Sequence, residues 1–135
     1  MIMAQNNPTW HGPFSLENDV VNRELDLYLK QKNVKDPLIG AYVYGEKDLN
    51  QKISPVYIGR SDSDLRQEIK SRHTTDRKFK SCTHFWYCVL DSEEEAYAVE
   101  SKYYHMGYKL NDKHPKKPDN NDTVKCPVPG CEYHE

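Results

Sequence analysis

The chain has 135 residues, enough for one domain that buries a core without disulfide or metal staples. Charged residues make up 30% and apolar ones 36%, a soluble globular balance, and no apolar run approaches the roughly 20 residues that span a bilayer, so no membrane association is expected. A net charge of −2 argues against a protein that coats nucleic acid by bulk attraction.

The first eleven residues are polar and carry no apolar signal core, so export is not expected. Four cysteines then point to free thiols in a reducing, cytoplasmic setting. In chain order, residues 1–13 read as loose, with Pro8, Gly12 and Pro13. Ser15 caps a predicted helix to about Gln31, with Leu16, Val20, Leu27 and Tyr28 as its apolar face. Leu38–Tyr44 and Pro55–Gly59 read as short strands, the second opening on a proline that suits an edge. Ser61 and Asp62 are caps for a helix over 63–73. A basic loop follows, then a strand over Thr83–Leu90. Ser92-x-x-Glu95 forms a capping box for a helix with Ala96, Val99, Tyr103 and Met106 as its stripe and Gly107 as its stop. Pro115, Pro118, Pro127 and Pro129 make the remainder irregular.

The connection between the first two strands is too short for a parallel crossover, so they pair antiparallel. The expected fold is α+β, a small three-stranded antiparallel sheet packed with helices. Residues 1–37 form an N-terminal helical extension of the domain, 38–118 its core and 119–135 an irregular cysteine-containing tail.

Charge is unevenly placed. Leu65–Lys80 holds six bases and two acids, whereas Asp91–Glu100 holds five acids and no base. Such a pair of strips is either a phosphate-binding rim beside a metal pocket or two solvated helix faces.

Two triplets, Gly40-Ala41-Tyr42 and Tyr57-Ile58-Gly59, precede a basic helix, Glu100 and Asn111. In this order they resemble the GIY-YIG nuclease superfamily, over about residues 38–118. The second triplet matches literally and the first at two of three positions. The stretch Tyr57–Leu65 and the surroundings of Asn111, His114-Pro115 and Pro118 resemble its small stand-alone members. Singly, Tyr42 and Tyr57 read as strand aromatics and Glu100 as a surface glutamate; only the joint pattern suggests a site.

The resemblance implies an endonuclease that hydrolyses phosphodiester bonds in DNA with Mg²⁺ or Mn²⁺. A divalent cation neutralises charge on the phosphoryl group, and hard Mg²⁺ favours oxygen ligands, so the carboxylate of Glu100 is the candidate anchor. Tyr42 and Tyr57 are candidates for activating the attacking water. A free phenol titrates near pH 10, roughly three units too high to act as a base at neutral pH, so neighbouring cations must lower it. Arg60 is placed for that and for binding phosphate. The family arginine in the following helix aligns with Glu68, the wrong sign for phosphate. Arg66 and Arg72 are the nearest replacements. His73 either assists at the site or interacts with its helix dipole. Asn111 supports the site or braces its loop. Because Glu68 departs from the pattern, the rival expectation is a catalytically weakened module of this fold that binds nucleic acid or protein. Targeting would then come from a partner protein, from dimerisation or from DNA shape.

Cys126 and Cys131 with His134 are three zinc-type ligands, and a closed structural Zn²⁺ site needs a fourth, for which His114 or His105 is available. The alternative is a tail with free thiols. Cys88 reads as a small core residue.

Overall fold

A computed structural model describes residues 8–119, 121 and 123–134. Residues 1–7 of the segment expected to be loose, and positions 120, 122 and 135 of the tail, lie outside the described residues. The elements in chain order are β1 (His11–Ser15), α1 (Asn18–Lys32), β2 (Ile39–Lys47), β3 (Ile53–Ser61), α2 (Leu65–Arg72), a 3₁₀ turn (Arg77–Phe79), β4 (Cys82–Leu90) and α3 (Glu93–Tyr104). The strands form one antiparallel sheet in the order β1-β4-β2-β3. The protein is therefore an α+β fold with four strands rather than the expected three.

The additional strand is β1. Gly12 and Pro13 made this segment read as a loop, yet an edge strand tolerates both. It pairs with β4 through His11–Tyr87 and Phe14–Phe85, and the register shift between them absorbs the irregular pair. Phe14 then packs on Phe85 and Tyr87. This partnership joins residues some seventy positions apart, and no local pattern announces it.

Alternation along β2 and β3 explains the layers, because successive side chains in a strand face opposite ways. Tyr42, Tyr44 and Tyr57 project to one face, where they meet Val21 and Leu25 of α1, Leu65 and Ile69 of α2, and Phe79. Ala41, Val43 and Ile58 project to the other, against Val99, Tyr103 and Tyr104 of α3. Cys88 belongs to this second cluster and is fully buried. Two helices thus cover one face and one the other.

Helix phases differ from the sequence reading in two places. In α1 the buried residues are Val21 and Leu25, with Leu16, Val20 and Tyr28 of the expected face partly buried against the same core, whereas Leu27 is 46% exposed. In α3 the buried residues are Ala96, Tyr97 and Ser101, whereas Met106 lies beyond the helix end and is 60% exposed. Helix starts also move. Glu17 stands at the N-cap of α1 without a side-chain cap, because Ser15 belongs to β1. Asp64 rather than Ser61 or Asp62 caps α2, accepting from Gln67 N. Half of the expected capping box of α3 is present, Ser92 Oγ accepting from Glu95 N, while the Glu95 carboxylate reaches past the cap to accept from Asp91 N.

Glycines in the two triplets have packing reasons. A Cβ built on Gly59 would overlap the Cζ and Oη of Tyr42, and one on Gly40 would overlap the carbonyl of Cys88. The Tyr42 ring therefore lies across the β3 backbone at Gly59, its register partner.

No helix among the described residues is long and apolar enough to cross a membrane.

Candidate functional site

β3 is the outer strand of the sheet, and a polar cavity of about 280 Å³ opens at its free edge. Tyr57, Arg72, Lys78, Glu100, Asn111 and Asp112 are among its lining residues. Tyr57 and Arg72 arrive from the α2 side and Glu100 from α3, so groups from both layers meet around one strand edge.

The edge itself is held by the chain leaving α3. Leu110 N donates to Val56 O at 3.0 Å. Asn111 then uses its side-chain amide as a substitute peptide group: Ile58 N donates to Oδ1 and Nδ2 donates to Ile58 O, both at 2.9 Å. Asn111 is thus a brace on the middle residue of the second triplet, with both ends of its amide occupied.

Tyr57 is 8% exposed and packs edge-on against Phe79. Arg72 Nε donates to its hydroxyl at 3.3 Å, and Lys78 Nζ lies 5.7 Å from its ring centre. Burial holds the Tyr57 phenol above its ordinary value; Arg72 and Lys78 lower it only in part, and Glu100 raises it further. Arg72 projects one helical turn after Glu68, the position aligned with the family arginine, so the basic group at this tyrosine comes from the later turn.

Tyr42 is fully buried, and its hydroxyl donates to Glu68 Oε2 at 2.9 Å. Burial is the main reason its phenol lies well above the ordinary value, and Glu68 adds to the effect. The rings of Tyr42 and Tyr57 are 6.3 Å apart, both touching Tyr44. Tyr44, absent from the sequence candidates, is the strand partner of Tyr57. Its hydroxyl donates to Ile69 O at 2.7 Å, which makes it a core tether.

Arg60 is 11% exposed at its side chain and ties two carboxylates together. Nη1 donates to Glu100 Oε1 at 2.9 Å, while Nε and Nη2 hold Asp62 at 2.8 and 3.1 Å. Sequence reasoning took Asp62 only as a helix cap; it stands one residue past the end of β3, where its carboxylate reaches back to Arg60. Burial raises Glu100 from 4.5 to about 7; Arg60 lowers it, and Asp62 and Glu68 oppose that lowering.

Two candidates lie elsewhere. Arg66 donates to Asp26 and Asp36 and to Asn22, locking α2 onto α1. His73 follows α2 as its C-cap and packs edge-on against Tyr44, and burial lowers its imidazole.

The donors around Glu100 are oxygens: its own carboxylate, the Tyr57 hydroxyl and the Asp112 carboxylate all border the cavity. A hard divalent cation suits such a set. Glu100 is the member of this set that could anchor such an ion.

A second group of metal-type donors gathers in the tail. One donor atom from each of His105, His114, Cys126 and Cys131 lies within 4.8 Å of the others. His134 is outside this group, with Nδ1 donating to Cys126 O at 2.7 Å. All four cysteines are free thiols. No protein-family model, curated protein or solved structure matches the chain.

Proposed function

We propose that the protein is a divalent-metal-dependent endonuclease of GIY-YIG type that hydrolyses phosphodiester bonds in DNA. The observation that carries this reading is the convergence of Tyr57, Arg72 and Glu100 on one cavity at the β3 edge. A tyrosine, a cation and a carboxylate are the three group types the reaction asks of the protein. Choice of DNA rests on the sequence resemblance.

Glu100 would hold Mg²⁺ or Mn²⁺, and the cation would supply neutralisation of the phosphoryl charge and assistance to the leaving oxygen. Tyr57 acts as a phenolate, which the hydrogen bond from Arg72 stabilises, and returns to the neutral phenol on accepting the proton of the attacking water. Arg72 and Lys78 line the same cavity and supply the positive charge for a phosphate bound there. Arg60 orients Glu100 through Nη1. Tyr42, fully buried against Glu68, supports Tyr57 through the packed ring cluster instead of taking a proton itself.

A second reading draws on that same Tyr42–Glu68 pair: a fold of this type kept for binding nucleic acid or protein without cleavage. One experiment separates the two. Supercoiled plasmid is incubated with the protein and Mg²⁺ or Mn²⁺, beside Glu100→Gln and Tyr57→Phe. Nicking by the wild type that both variants lose by about 100-fold or more, the usual worth of a general base, supports the enzyme. Equal activity in all three, or none in any, refutes it for this substrate.

A further inference from the structure

We propose that the tail is a structural Zn²⁺ site whose ligands are His105, His114, Cys126 and Cys131. It draws its ligands from three places: the residue after α3, the exit segment behind Asn111, and a Cys-x₄-Cys turn. Their four donor atoms lie within 4.8 Å of one another. Tetrahedral zinc with bonds of about 2.3 Å to sulfur and about 2.0 Å to nitrogen holds such donors somewhat closer than 4 Å apart, so binding asks for a small contraction of a cluster already assembled.

Two of the ligands stand in surroundings that suit the metal-bound form. Tyr133 N donates to Cys131 Sγ at 3.4 Å, and such a donor stabilises thiolate over thiol. His114 Nδ1 lies 3.0 Å from the carbonyl of Pro115, which only accepts, so Nδ1 carries the proton. That leaves the Nε2 lone pair facing Cys131 Sγ at 3.5 Å. A ring nitrogen bonded to a carbonyl while the other faces the metal is the usual outer support of a zinc histidine. His134 repeats the carbonyl contact on Cys126 O and braces the turn without ligating.

Two buried hydroxyls add an independent observation. Tyr97 Oη and Ser101 Oγ are buried without a hydrogen-bond partner. Both belong to α3, and the Tyr97 ring lies 6.3 Å from that of His114. Unpartnered buried hydroxyls of this kind are accounted for by an ion with its ionised ligands next to them.

Two sulfurs and two nitrogens complete a tetrahedron, so the site is closed and structural rather than catalytic. Its effect is to clamp the tail and the exit segment onto the end of the helix that carries Glu100. The proposal does not depend on the nuclease reading, because zinc is measured without DNA.

The test is metal analysis of the full chain, purified without chelator from zinc-supplemented culture. One zinc per chain is expected. Cys131→Ser and His105→Ala should each lose it to mild chelation, whereas His134→Ala keeps it. Cobalt titration of the wild type after zinc removal should yield a thiolate charge-transfer band and the intense visible bands of tetrahedral cobalt, which keeps the test valid if a variant fails to fold. Wild-type protein that purifies metal-free and gives no such spectrum overturns the proposal. Loss of zinc in His134→Ala with retention in His105→Ala overturns the ligand set.

Discussion

Replacing Glu100 by glutamine tests how costly the buried carboxylate is. Its acid titrates at about 7 in the folded protein against 4.5 ordinarily. Each tenfold change in proton affinity corresponds to about 1.4 kcal/mol, so ionising Glu100 in the folded state costs on the order of 3 kcal/mol. Between pH 4.5 and 7 the unfolded chain has released this proton while the folded one retains it. Folding stability therefore declines as pH rises through that window, and levels off above it. Glutamine resembles the neutral acid in shape and does not titrate. Urea unfolding at pH 5 and pH 8, without added magnesium, should show the wild type losing about 2.5 kcal/mol more than Glu100→Gln. Added Mg²⁺ should recover part of that loss at pH 8 in the wild type and none in the variant. Identical pH dependence in the two proteins would refute the assignment of a raised carboxylate to Glu100.

Four further substitutions probe the frame and the site around it. Gly59→Ala places a methyl group against the Tyr42 ring and should lower stability by about 3 kcal/mol, the upper range for overpacking, read as a shift in urea midpoint. Asn111→Ala removes both hydrogen bonds to Ile58 and should cost about 2 kcal/mol, with faster amide exchange at Ile58. Arg66→Ala should lower the melting temperature yet leave plasmid nicking per folded molecule unchanged, because its partners are on α1 and the loop after it. Arg72→Ala should show the opposite pattern, a loss of nicking with little loss of stability. Similar activity losses for the two arginines would refute their separation into frame and site.

The chain by itself determined the order of three core strands and three helices, the antiparallel pairing of β2 with β3, and the N-cap at Ser92. Those are local matters: side-chain period, caps and short connections act within a few residues. It also marked Tyr57, Glu100 and Asn111, because a motif keeps its residue types in order. Tertiary structure decided what local patterns do not reach. β1 joined the sheet because β4 offered it a partner, despite a glycine and a proline. Arg66 and Arg72 are alike in sequence, and only the packing of α2 between α1 and the β3 edge sends one to Asp26 and Asp36 and the other to Tyr57. Asp62 and Glu100 stand thirty-eight positions apart and share Arg60 because α3 lies across the face of β3. The tail followed the same rule: His134 is close to Cys131 in sequence, yet His105 and His114 are brought to the cysteines when the chain folds back onto the end of α3. Spacing along the chain sets which residues are neighbours by covalent reach, whereas burial of the sheet's two faces sets which of them meet.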